Sequence, residues 1–240
     1  MTSLGDRMKG YEQAARSYLT RRMPVIVRVD GKAFHTFTRG HEKPWDLRIR
    51  SCMTAAAKAL MEEIQGAKLA YVQSDEISVL ITDYDSLESE AWFNKNVLKM
   101  TSVAASIATM AFNREYDNGT ALFDARPFVL PKEEVCNYFI WRQQDAVRNS
   151  IQGLGQKHFN HKQLHGISCP QIQENLFNVF KINWNDCEIW QKRGWSLIRK
   201  MYETNIGDDL ILRSVVEPDW DIPTFTQDRD YINSRVYIGE

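Results

Sequence analysis

Val25-Ile26-Val27-Arg28-Val29-Asp30-Gly31 is the run from which the rest of the chain can be placed. Its β-branched residues alternate, which predicts a strand with Ile26, Arg28 and Asp30 on one face and Val25, Val27 and Val29 on the other. Gly31 breaks it. After a Gly/His/Pro loop at 39–44, Met53, Ala57, Leu60 and Ile64 recur at helical spacing and predict a helix over 45–64. A second β region, 69–82, is interrupted by Gln73-Ser74-Asp75-Glu76 and reads as two short strands joined by a tight turn. Phe93, Val97, Met100, Ala104, Ile107 and Ala111 predict a helix over 92–112. A strand over 123–130 follows, closed by Pro131. The order β-α-β-β-α-β predicts an α+β, ferredoxin-like core, an antiparallel sheet backed by helices on one face. Beyond it the pattern predicts helices at 133–150, near 170–180 and at 186–203, then an acidic, Pro-containing tail.

In this topology the first and third strands are central neighbours, which brings Asp30 close to the turn carrying Asp75 and Glu76. Three carboxylates at one sheet edge repel one another unless cations lie among them. A pair of hard divalent ions such as Mg²⁺ would suit phosphoryl or nucleotidyl transfer. Solvated turn acids are the plainer alternative. Gly31-Lys32-Ala33-Phe34-His35 can point successive backbone N–H groups outward as an anion nest, or can simply be a strand-ending turn. Lys95, Lys99, Ser102 and Ser106 lie opposite the apolar stripe of their helix, as triphosphate contacts or as a solvated face. Arg142, Asp145 and Asn149 share a face of the next helix, suited to phosphate or a terminal nucleotide. Lys157, His158, His161, Lys162 and His165 make a basic stretch, read as a polar or RNA-facing surface.

The 240 residues, 43% hydrophobic and 25% charged, have ordinary globular values, which exclude disordered and fibrous classes. Net charge is −1, so the chain is not a polycation that coats nucleic acid. The charge is unevenly placed: residues 1–50 hold eleven Lys or Arg against five acids, and 201–240 hold three Arg against nine acids. No stretch is long and apolar enough for a membrane span, and the polar 1–22 segment has no signal-peptide core, so a cytoplasmic location is expected. Cys52, Cys136, Cys169 and Cys187 show no paired spacing and are read as reduced and structural.

Taken in order, these residues resemble the tRNA-His guanylyltransferase family and its prokaryotic guanylyltransferase-like relatives, the reverse (3′–5′) polymerases. The matching runs are Arg28-Val29-Asp30-Gly31 with Phe34-His35 and Phe37, Lys43-Pro44 with Asp46, and Tyr71 to Glu76 with Ser78. They continue through Trp92-Phe93 with Lys95 and Lys99, Phe123 to Arg126, Tyr138 with Trp141-Arg142-Gln143 and Asp145, and more weakly Glu174 to Phe177 and Arg193-Gly194. The resemblance implies a polymerase-palm core over about 20–131 and a helical, tRNA-contacting part over about 132–240.

It also implies two Mg²⁺ ions held by Asp30, Asp75 and the carbonyl of Gly31, with Glu76 nearby as a third catalytic acid. A triphosphate cradle comes from Lys32, Ala33, Phe34 and His35, with Ser74, Lys95 and Lys99. Base recognition falls near Lys43 and Asp46. The tRNA contacts expected are Arg142, Gln143, Asp145 and Asn149, and the expected assembly is a homotetramer. The implied chemistry activates a tRNA 5′-phosphate with ATP or GTP, then joins an incoming nucleoside triphosphate through its 3′-hydroxyl. Where eukaryotic members carry His-Ile-Asn-Asn-Leu-Tyr-Asn, this chain has Val147-Arg148-Asn149-Ser150-Ile151-Gln152-Gly153. That departure resembles the prokaryotic branch and favours templated 5′-end repair of tRNA, with guanylylation of tRNA-His as an overlapping activity. Strict tRNA-His guanylylation, a palm-type nucleotide cyclase and a non-catalytic RNA-binding module are the alternatives.

Overall fold

The computed structural model describes residues 2–117, 119–206 and 209–238. Its elements, in chain order, are α1 (Leu4–Ala14), β1 (Val25–Gly31), α2 (Phe34–Phe37), α3 (Leu47–Glu63), β2 (Ala67–Gln73), β3 (Glu76–Ile81), α4 (Val97–Tyr116) and β4 (Phe123–Val129). They continue with α5 (Lys132–His158), α6 (His161–Leu164), α7 (Cys169–Phe180), α8 (Ile189–Arg193), β5 (Trp195–Ile206), β6 (Asp209–Asp219) and α9 (Asp230–Asn233). The strands form one antiparallel sheet in the order β4-β1-β3-β2-β5-β6. The first four strands are in the ferredoxin-like order, with β1 beside β3.

The alternation of β1 sorts its side chains as expected. Val25, Val27 and Val29 pack with Ile77, Val79 and Ile81 against Met53, Ala57 and Leu60 of α3 and Met100, Ala104 and Phe112 of α4. Ile26 points to the opposite face with Leu69, Tyr71 and Leu80. That face is covered too, by Val135, Tyr138 and Phe139 of α5 and by Ile222, Phe225, Ile232 and Val236 of the C-terminal segment. The expectation of helices on one face alone is therefore corrected. Both faces of β1, β2 and β3 carry apolar residues, and each needs a partner layer.

Three further boundaries differ from expectation. The 92–112 helix is broken at its start: Trp92–Lys95 is a single 3₁₀ turn, and Phe93, Asn94 and Lys95 all have positive φ. Asn96 then caps α4 by accepting the Lys99 N–H at 3.0 Å. The helix expected over 133–150 runs on to His158, because Ile151 and Leu154 bury against Ile172 and Leu176 of α7.

The largest departure is at 186–203, where a helix was expected. Only Ile189–Arg193 is helical. Gly194 ends it at φ 78°, and a Cβ there would sit 2.3 Å from the Val72 carbonyl oxygen. The chain then becomes β5, paired with β2 from Leu69↔Ile198 to Val72↔Trp195, and the acidic tail becomes β6. Tertiary pairing with the free edge of β2 overrides the local helical pattern. The C-terminal half is thus not purely helical; it extends the same sheet.

Candidate active site

The β1–β3 register sets Asp30 opposite Glu76. Asp75 lies in the two-residue turn between β2 and β3, where Ser74 takes φ 50°. The Gly31 N–H donates to the Asp75 carbonyl at 3.1 Å and ties this turn to the end of β1. The Ser74 hydroxyl donates to Asp75 Oδ1 at 3.0 Å. Burial holds the Asp75 carboxyl above the ordinary range, and the charge of Asp30 adds to it against the Ser74 hydroxyl. Among the described residues Asp75 has no ion-pair partner, and Asp30 has only Arg28 and Arg126, each at 3.5 Å. Two carboxylates are brought together with little compensation.

Glu76 is different. It is buried, with Arg28 Nη2 at 2.6 Å and Arg142 Nε and Nη2 at 2.8 and 2.9 Å. Ser78 and Gln73 complete the ring at 3.3 and 3.4 Å. Burial still lifts its pKa, with Arg142 and then Arg28 opposing that shift. Both oxygens are engaged inside the protein, so Glu76 is a structural acid of the site and is not open to a cation as Asp30 and Asp75 are.

The segment after β1 curls back on itself. The Lys32 N–H donates to the Leu122 carbonyl at 2.8 Å, Ala33 is left-handed at φ 51°, and α2 starts at once. A Cβ on Gly31 would lie 2.3 Å from Phe34 Cδ2, so the close approach requires glycine. Phe34 itself is core, with ring centroids 5.1, 5.5 and 5.7 Å from Phe37, Phe112 and Phe123. Lys32, Ala33 and His35 are exposed.

A cleft of about 390 Å³ opens beside this curl. His35, Lys43, Asp46, Ser74, Asp75 and Asn149 line it, as do Arg50, Trp190, Gly194 and Trp195. Lys43 Nζ donates to Thr38 Oγ1 at 3.0 Å. Asp46 caps α3, accepting the N–H groups of Ile49 at 3.0 Å and Glu42 at 3.1 Å. Burial opposes its ionisation, but those N–H groups outweigh it and hold the carboxyl below its usual value.

Several expected contacts lie elsewhere. Lys95 is not on the polar face of a helix. It is buried, 2% exposed, with its ammonium 3.0 Å from Asp83 and donating to the Thr20 and Met23 carbonyls at 2.8 Å each. An ammonium has three donors, so none is left for a triphosphate. Lys99 is on α4, over the Phe93 ring at 5.8 Å. Arg142 and Gln143 are each 4% exposed. Arg142 holds Glu76 and Asp145, and Gln143 bonds to the Pro223 carbonyl and the Phe225 N–H. Asp145 is bound by Arg142, Arg148 and Asn149. Of this row, only Asn149 lines the cleft. The internal partners of Arg142 and Gln143 replace the expected RNA contact.

Sequence reasoning missed Arg50, Trp190 and Trp195 as cleft residues. No motif marks them; the two tryptophans reach the cleft only because the chain turns at Gly194.

The family model described as "Thg1: tRNAHis guanylyltransferase" matches residues 5–131, more than half of the chain. The chain belongs to the tRNAHis guanylyltransferase family. Curated relatives agree. The tRNA(His) guanylyltransferase of Debaryomyces hansenii is 33% identical over 213 residues, 79% of this chain and 78% of the relative. The probable tRNA(His) guanylyltransferase of Homo sapiens is 32% identical over 214 residues, 80% and 70%. A bacterial tRNA(His) guanylyltransferase (Thg1)-like protein in complex with ATP superposes at TM-score 0.90 with 46% identity, covering 98% of this chain and 100% of that one. The GTP complex of a bacterial Thg1-like protein superposes at 0.87, also with 46% identity, covering 99% and 100%. Membership makes this guanylyltransferase-family chain a nucleotidyltransferase whose general chemistry is 3′–5′ nucleotide addition to tRNA. No helix among the described residues is long and apolar enough to cross a membrane.

Proposed function

We propose that this family member carries out Mg²⁺-dependent, template-directed nucleotide addition at the 5′ end of tRNA, a 5′-end repair activity that also extends to G addition on tRNA-His. The observation that carries the reading is the under-compensated pair Asp30 and Asp75, set beside the backbone curl at 31–35 and the cleft. Hard oxygen donors with a raised carboxyl pKa and no ion pair at Asp75 fit divalent cations, with Asp30, Asp75 and the Gly31 carbonyl as the holding groups. Bound there, the ions would supply charge stabilisation for the attacking and leaving oxygens.

The chain's own groups do the rest. The backbone N–H groups at 33–35 donate to triphosphate oxygens, aided by exposed Lys32 and by His35 and Ser74 at the cleft. Lys43 and Asp46 flank the base, and Asn149 faces the RNA. ATP and GTP are the ligands of the two bacterial relatives, and nucleotide binding is carried from them to this chain. The tRNA 5′-monophosphate attacks the α-phosphorus of ATP or GTP and pyrophosphate leaves; the 3′-hydroxyl of the incoming nucleotide then attacks the activated 5′-phosphorus, and AMP or GMP leaves. With a 5′-triphosphate, pyrophosphate leaves instead. A homotetramer and a cytoplasmic site of action complete the proposal.

Templating rests on the 147–153 run, which departs from the eukaryotic pattern. The test uses tRNAs lacking their first nucleotide, with the opposing base varied through all four. Incorporation of the complementary nucleotide in each case is expected. Addition of G opposite every base, and only on tRNA-His, would establish strict guanylylation instead.

A further inference from the structure

We infer that Arg50, clamped between two indoles on the cleft wall, is a phosphate-binding residue for the substrate, a second anion site apart from the 31–35 curl. The inference rests on the nucleotidyl-transfer reading above and adds a contact to it. Arg50 lies on α3, one turn beyond its cap Asp46, and lines the cleft. Its guanidinium carbon is 4.6 Å from the ring centroid of Trp190 and 4.8 Å from that of Trp220. Trp195 meets Trp190 edge-on at 6.2 Å and Trp220 at 5.7 Å, so α8, the start of β5 and the residue after β6 hold the clamp together. The flanking rings restrict the position of the guanidinium, yet a ring face accepts charge and leaves the in-plane N–H groups unbound.

Those donors are unmatched. Other buried or part-buried arginines here use theirs: Arg28 and Arg142 on Glu76, Arg193 on the Ile222 carbonyl. Among the described residues, the Arg50 guanidinium has neither hydrogen bond nor ion pair. The nearest carboxylate along its helix, Asp46, is engaged in capping. Trp195, also on the cleft wall, has a buried indole N–H with no acceptor. A positioned fork of donors with a full charge and no internal anion matches a phosphate, which it can bind through two parallel N–H bonds. The cleft also carries Asp75, so one substrate could reach the carboxylates and Arg50 together. The phosphate can come from the RNA backbone or from a nucleotide, and binding measurements separate the two.

Equilibrium binding of a tRNA transcript at several salt concentrations, and of ATP and GTP by intrinsic fluorescence, is measured for wild type, Arg50→Met and Arg50→Lys, beside thermal melting. The expected result for Arg50→Met is about tenfold weaker tRNA binding, with the slope of log K against log salt reduced by about one and nucleotide affinity unchanged. Weaker ATP and GTP binding with an unchanged tRNA slope assigns the phosphate to a nucleotide and keeps the site. Arg50→Lys keeps the charge above the indoles and guards against loss of folding; it should restore the salt slope and remain below wild-type affinity. Wild-type affinities for all ligands in either folded variant, with only the melting temperature lowered, make Arg50 a structural brace and overturn the inference. Because binding is read without turnover, failure of the extension assay would not affect this test.

Discussion

Arg142 donates Nε to Glu76 Oε1 at 2.8 Å and Nη2 to Oε2 at 2.9 Å, a two-point bond from the middle of α5 to the first residue of β3. Arg28 approaches the same carboxylate from β1 at 2.6 Å. Three elements around the 74–75 turn are thereby joined at a single buried acid. Breaking a buried pair from one side typically costs about 3–5 kcal/mol when the remaining charge is left alone, and because Arg28 stays on Glu76 the low end applies here. Arg142→Ala should therefore lower stability by roughly that amount, measured by urea unfolding. A loss below about 1 kcal/mol would show that the pair is worth no more than a surface bridge.

Asp30 and Asp75 should behave in the opposite way. Either residue changed to Ala should reduce nucleotide addition by about 10²-fold or more, measured in single-turnover extension. Asp75→Asn should at the same time raise the melting temperature without Mg²⁺. Its carboxyl has a folded pKa above the unfolded one, so ionisation works against the fold. The destabilisation sets in as pH rises through the carboxylate range and is complete above the raised folded value. The gain from Asp75→Asn should therefore be present at neutral pH and vanish in acid.

Gly31→Ala tests the close approach of the curl. The added methyl would meet Phe34 Cδ2 at 2.3 Å, and Phe34 is packed by Phe37, Phe112 and Phe123. Displacing a ring in a filled core costs about 1–3 kcal/mol. Both stability and nucleotide affinity should fall, by unfolding and equilibrium binding. Wild-type ATP affinity in this variant would remove the curl from the nucleotide site.

Lys95 and Asp83 make a buried pair whose contribution depends on acid. Burial lowers the Lys95 pKa even beside Asp83. For Asp83 burial is outweighed by the Arg22 N–H and by Lys95, and its carboxyl stays below the ordinary value. Such a depressed acid stabilises the fold above its unfolded pKa, near 3.9, and loses that contribution as pH falls through the folded value. Lys95→Ala should lower stability at neutral pH by about 3 kcal/mol. Its penalty should shrink in strong acid. Nucleotide KM of the folded fraction should be unchanged, whereas a selective rise in KM would return Lys95 to the triphosphate.

The sheet core was legible because its signals are local. Val25–Gly31 alternates, Gln73–Glu76 interrupts an apolar run, and the apolar stripes of α3 and α4 recur at helical spacing. Element order then sets Asp30 beside the 74–75 turn, since a β-α-β-β-α-β chain places its first and third strands together. The ordered motifs also led to the family. The partners of Lys95, Arg142 and Gln143 were not legible, because a polar residue reads alike whether it meets water or a buried acid.

By itself, then, the sequence determined the alternation, the order of strands and helices, the Gly31 break and the family. Tertiary structure alone decided three other matters. Trp195–Ile206 is a strand because β2 offered an edge whose backbone groups needed partners. Glu76 is neutralised while Asp75 is not, because α5 crosses the sheet above Glu76 and delivers Arg142 to it. Arg50 meets Trp190 and Trp220, residues far along the chain, because α8 and the end of β6 return to the side of α3. Local pattern specifies which face a side chain takes; what stands opposite that face depends on contacts between distant segments, whose energies no single stretch of sequence contains.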